Sequence, residues 1–111
     1  MKNSEKYIKW ISENINRDNF LLAFIFGSVA KDVVKPNDCD LFLVTKYETN
    51  SDLWKLMRIE NERLKENFYK IFNLELSIQL LSKYELNENL EFVRLTLESQ
   101  KILVINELNI K

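Results

Sequence analysis

The fold class predicted by this sequence is α/β (α+β), a mixed sheet of about four strands with helices packed against it. Three patterns predict it. Segments with apolar residues three and four apart alternate along the chain with short segments of strand character. The run Phe20–Phe26 is continuously apolar, too short for a typical helix, and rich in Phe and Ile, as expected of a strand buried on both faces. Further on, Leu74, Leu76, Ile78 and Leu80 alternate with Glu75, Ser77 and Gln79, which gives a strand one apolar and one polar face.

Taken in order, Tyr7, Ile8, Ile11 and Ile15 share one helix face, and Asn16 to Asn19 break the pattern. The strand Phe20–Phe26 follows and stops at Gly27. Residues 28–34 are expected to form a short helix capped by Ser28, and Lys35, Pro36 and Asn37 turn the chain into the strand Asp38–Thr45. Asn50, Ser51 and Asp52 signal the start of a long amphipathic helix whose stripe is Leu53, Met57, Leu64, Phe68 and Ile71. After the strand at 74–80, a helix is expected over residues 87–99 and a closing strand over 102–105. No repeat, low-complexity segment or internal linker interrupts the 111 residues, so a single domain spanning 1–111 is expected.

Composition narrows the function. Sixteen basic and 17 acidic side chains leave a formal net charge of -1, which gives no general attraction to a nucleic-acid duplex or an anionic membrane. The start, MKNSEK, is polar, and no apolar run approaches the roughly 20 residues that span a bilayer, so neither a signal peptide nor a membrane helix is expected and the location is expected to be cytoplasmic. With one cysteine and no histidine there is no internal disulfide, no Cys/His zinc site and no Ser-His-Asp triad. Acid–base chemistry falls to carboxylates, lysines or a metal-bound group.

The stretch FIFGSVAKDVVKPNDCDLFLV concentrates the chemistry, for it holds the only glycine and the only proline of the chain. A tight strand-to-helix turn with a serine N-cap would account for Gly27-Ser28; the same turn could converge backbone N–H groups and the Ser28 hydroxyl on an anion such as a triphosphate. Asp38 and Asp40, two apart on a strand, project from one face with Cα atoms about 6.5 Å apart, close enough to share a metal, while Cys39 points to the core. An Asp-x-Asp is also common at a solvated loop edge. Here, however, Asp40 leads directly into Leu41-Phe42-Leu43-Val44, at the mouth of a buried strand where an unpaired charge is expensive. Glu75, first on the polar face of a strand able to pair beside Asp38–Thr45, is the third candidate carboxylate, or simply a solvated charge on a strand edge. Oxygen-only ligands suit Mg²⁺ or Mn²⁺. Lys31 is placed either to contact phosphates or to be solvated.

An apolar strand, Gly-Ser, a short helix and Asp-x-Asp at the head of a second apolar strand together resemble the nucleotidyltransferases of the DNA polymerase beta superfamily, most closely the minimal bacterial ones. Only residues 27–44 are specific to the motif; the rest agrees in element order. The resemblance implies a polymerase-beta-like core in which Gly27 and Ser28, with Lys31 as a further candidate, hold a nucleoside triphosphate, ATP by expectation. It implies Asp38, Asp40 and Glu75 as catalytic residues and ligands of two Mg²⁺ (or Mn²⁺) ions. Departures are Val29, where a basic residue often follows the serine, and Asp32, where a glycine often stands. The implied reaction is transfer of a nucleoside monophosphate to a hydroxyl acceptor on a protein or small molecule. The alternative implied by the same family is an antitoxin-like subunit, weakly active or inactive, that binds a small helical partner of the HEPN type; a homo-oligomer is also compatible.

Overall fold

The computed structural model describes residues 3–86, Arg94, Glu98 and residues 100–108. Its elements are α1 (Glu5–Asn14), β1 (Phe20–Phe26), α2 (Gly27–Ala30), β2 (Asp38–Thr45), α3 (Asp52–Phe72), β3 (Glu75–Ser82) and β4 (Ile102–Asn106). The helix expected over 87–99 lies outside the described residues except for Arg94 and Glu98, both helical and ion-paired at 3.0 Å.

The strands form one mixed sheet of four in the order β3-β2-β1-β4. β1 pairs antiparallel with β2 on one side and β4 on the other, whereas β2 and β3 run parallel with α3 as the crossover between them. That is the arrangement expected when a parallel pair must be joined by a helix. The central strands are buried on both faces, as their apolar runs require.

One face of the sheet carries the main core, where Ala23, Ile25, Cys39, Leu41, Leu43 and Leu76 meet Ile11 of α1 and Met57, Leu64 and Phe68 of α3. Phe68 is fully buried and packs against Tyr7, Trp10 and Phe72 with ring centroids 5.9, 5.6 and 4.8 Å away. The opposite face carries Leu22, Phe24, Phe42 and Val44, with the rings of Phe24 and Phe42 stacked 4.9 Å apart.

The stripe of α3 differs from the expected one. Its buried line is Met57, Asn61, Leu64 and Phe68, while Leu53 and Ile71 are exposed. At 3.6 residues per turn both lie on one flank of that line, towards the helix ends, where the sheet no longer covers them. The helix starts as expected, with the Ser51 hydroxyl accepting from Trp54 N–H, and it stops at Asn73 in the left-handed conformation. The far end of β2 is tied to α3 by polar contacts: Thr45 Oγ1 donates to Asn19 O at 2.8 Å and Asn19 Nδ2 donates to Glu60 at 2.8 Å.

Phe68→Ala is expected to lower unfolding free energy by about 3–5 kcal/mol, and Leu53→Ala by no more than about 0.5 kcal/mol, measured by urea unfolding. Equal losses would mean that α3 presents a different face to the sheet.

Candidate functional site

The acidic end of the sheet is built by strand alternation. Asp38 and Asp40 lie on one face of β2, and Cys39 between them is fully buried on the other. Burial, reinforced by the charges of Asp40 and Asp38, pushes the Cys39 thiol up to about 12, so it stays protonated and takes no part in the chemistry. In register, Phe26 of β1 lies opposite Asp40, Glu75 of β3 opposite Asp38, and Ser77 opposite Asp40. Paired positions share a face, so these five residues belong to one surface.

The turn after β1 is shaped around Asp40. Gly27 has φ +70°, and a Cβ placed there would run into Asp40 Oδ2, with Asp40 Cγ 3.2 Å away. The glycine is therefore required twice, for its left-handed backbone and for the approach of the carboxyl. Ser28 follows, and its hydroxyl donates to the Asp38 carbonyl at 3.4 Å. It is not the helix cap that the sequence suggested: the cap is Phe26, with no side-chain bond, and α2 is a single turn that ends at Ala30 rather than at residue 34. The chain must reverse into an antiparallel partner, and it does so through Asp32 in the left-handed region, φ +59°. The Asp32 carboxylate accepts from the N–H groups of Asn3 and Ser4 at 3.1 and 3.0 Å, which fastens the start of α1 to this loop. Lys31 is exposed at the C-terminus of α2.

Asp40 carries the electrostatic cost of the site. Partial burial raises its carboxyl above the ordinary range, and the charge of Asp38 raises it further. The donor set that could meet a cation consists of hard carboxylate oxygens, which fits Mg²⁺ or Mn²⁺. Among the described residues no three His, Cys, Asp or Glu side chains gather into a metal-holding group. Glu75 is level with Asp38 in register, yet it is exposed at the first position of the edge strand, where it also lines a cleft with Tyr69 and Lys70 of α3.

Phe26 and Ser77 were not singled out from sequence. The same two-residue alternation that joins Asp38 to Asp40 places Ser77 after Glu75, but an uncharged hydroxyl in a strand gives no chemical signal. Asp32 gave none either, since its role depends on a left-handed backbone and a contact with residues 28 and 29 positions away.

No family model matches the chain, and no curated protein is similar to it in sequence. Solved structures do match. A toxin–antitoxin structure with AMP-PNP aligns with TM-score 0.51 and 18% identity over 94% of this chain and 73% of its own. The MntA–HpeT toxin–antitoxin complex, in a form with two aspartates two positions apart changed to glutamate, aligns with TM-score 0.50 and 15% identity over the same shares, 94% and 73%. The chain shares the fold of these structures. A protein from Sulfolobus solfataricus assigned as a nucleotidyltransferase is also similar, with TM-score 0.49 and 16% identity over 92% of this chain and 82% of its own. Within that fold, the Gly27 turn and the Asp38–Asp40 pair stand on neighbouring antiparallel strands at one end of the sheet.

Two outcomes are expected. Gly27→Ala should cost about 1 kcal/mol or more from its positive φ alone, with a further loss from displacing Asp40, read as a lowered midpoint in urea. Asp40→Asn should be more stable than the parent at neutral pH. Because the folded pKa is raised, the folded state holds its proton longer, and Asp40 removes stability as pH rises from the ordinary Asp value of about 3.9 through its raised value. The advantage of the Asn variant should vanish below that range. An advantage that persists at low pH would assign it to packing.

Proposed function

We propose that this protein is a metal-dependent nucleotidyltransferase that transfers a nucleoside monophosphate from a nucleoside triphosphate, ATP by preference, to a hydroxyl acceptor on a protein or small molecule. The observation that carries the proposal is the juxtaposition of two carboxylates on one strand face with a glycine turn that admits one of them against its backbone. Carboxylate oxygens suit the expected cations: Asp38 and Asp40 are the pair that would hold them, and Glu75, level with Asp38 on the neighbouring strand but not gathered with the pair, would have to turn toward them to serve as the third ligand. Bound Mg²⁺ or Mn²⁺ supplies Lewis-acid stabilisation of charge at the α-phosphate and at the departing pyrophosphate.

The residues of the chain divide the remaining work. Gly27 and Ser28 present backbone N–H groups and a hydroxyl to the outgoing pyrophosphate, and Lys31 adds a cation beside them. As the oxygen of the acceptor hydroxyl bonds to the α-phosphorus and the bond to pyrophosphate breaks, Glu75 would either complete the metal ligands or take the hydroxyl proton. The net charge of -1 again disfavours a duplex as acceptor.

A second reading is supported by the toxin–antitoxin neighbours: an antitoxin-like subunit that restrains a helical HEPN-type partner, with or without modifying it. Both readings use the same fold and share the need for a partner or acceptor from outside the chain.

Incubation with α-labelled ATP, Mg²⁺ and a candidate acceptor protein encoded beside it should label that protein, and Asp38→Asn should abolish the label. Mg²⁺ with ATP should raise the melting temperature of the parent, and that shift should be lost in Asp38→Asn and Asp40→Asn. A tight, unlabelled complex that survives both substitutions would favour the antitoxin-like reading; strong labelling of RNA or DNA by this chain alone would refute the choice of acceptor.

A further inference from the structure

The two edges of the sheet are unlike. At one edge, β4 is five residues long, and its pairing with β1 shifts register between Ala23 and Phe24. Short length and irregular pairing blunt an edge against other chains. At the other edge, β3 pairs with β2 through eight unbroken positions, from Asp38↔Glu75 to Thr45↔Ser82. It contains no lysine, no proline and no bulge, and its single charge is at the first position. Among the described residues no strand pairs with its outer side, although at its last residue the Ser82 N–H is already taken, donating to Glu85 Oε1 at 3.0 Å. Every second residue of a strand directs its N–H and C=O to one side, so this edge offers a row of unmet donors and acceptors.

We propose that the β3 edge pairs antiparallel with β3 of a second copy of this chain, about a two-fold axis at Gln79, which joins two sheets into one. The strand is self-complementary in that register. Ile78 meets Leu80 of the second copy, both half-buried on the helix-covered face. Leu76 meets Ser82, and Glu75 lies beyond this last pair, because the chain leaves the strand at Lys83. Centring on a residue rather than between two keeps the helix layers of both copies on the same side of the joined sheet.

The helix above the edge repeats the complementarity. Trp54, Arg58, Glu62, Lys65 and Tyr69 run along the β3 side of α3, and Arg58 and Glu62 line the same cleft of about 370 Å³ as Ile78 and Leu80. An axis level with Gln79 therefore falls between Arg58 and Glu62. Arg58 of each copy faces Glu62 of the other, with opposite charges met twice because the interface is isologous. The choice of a second copy over an unrelated strand rests on this charge pattern, and it does not depend on the catalytic reading.

The test is a set of charge variants in the full chain, read by sedimentation velocity over a concentration series, with far-UV circular dichroism and thermal melts to show that each variant folds. The parent should sediment at twice the 13.3 kDa of one chain. Gln79→Lys, which sets like charges opposite each other at the axis on an exposed position, should weaken the dimer about tenfold or more. Arg58→Glu and Glu62→Arg should each be monomeric at concentrations where the parent is dimeric. Mixed in equal amounts, these two should form a heterodimer, because every pair is then opposite in charge. A parent that stays monomeric at hundreds of micromolar, or a dimer indifferent to Gln79→Lys, overturns the proposal; dimeric single variants, or a mixture that stays monomeric, overturn the α3 register.

Discussion

A Cβ at residue 27 would occupy the space held by the Asp40 carboxyl, and the layout of the acidic end of the sheet follows from that constraint. Because the backbone can come this close, β1 turns immediately after Phe26, and α2 begins beside the first residues of β2. The Ser28 hydroxyl then reaches the Asp38 carbonyl, which links the turn to the other aspartate. The turn is not free to drift, since Asp32, one residue beyond Lys31, is fastened to the backbone of Asn3 and Ser4. One glycine in a chain where average usage would give about seven or eight is thus retained where a side chain has no room.

The carboxylate pair is attached to the most firmly held strand. Immediately after Asp40, Leu41 and Leu43 enter the core shared with α1 and α3, and Phe42 and Val44 enter the cluster on the opposite face. Packing on both sides fixes β2, and the pair at its head inherits that fixed position. Stability gained along residues 41–44 offsets what is lost at residue 40, where burial and a like charge oppose ionisation. In the proposed reading, a bound cation would relieve both costs at residue 40, the burial and the like charge of Asp38.

Periodicity and the turn residues were enough to read most of the fold. The strands at Phe20–Phe26 and Asp38–Thr45, the long helix, and the partnership of the strand bearing Glu75 with that bearing Asp38 are all present. Local pattern failed where the deciding contact was distant. Ser28 has the composition of a cap, but its hydroxyl is drawn to a carbonyl ten residues on. Leu53 and Ile71 fit the helical period, yet the sheet is not wide enough to cover them. Asn61 sits in the buried line of α3, where a polar residue gives no apolar signal, and its amide meets the Met57 sulfur at 3.6 Å. Residue types also say nothing about how carboxylates are oriented. Alternation puts Glu75 on the face of Asp38, yet the three carboxylates do not gather into one group.

Strand pairing extends a sheet in its own plane, so a second copy at β3 leaves the face of Asp38 and Asp40 uncovered. The antiparallel arrangement sets the two acidic sites at opposite ends of the joined β3 pair, too far apart to repel each other appreciably through solvent beyond a screening length of about 8–10 Å.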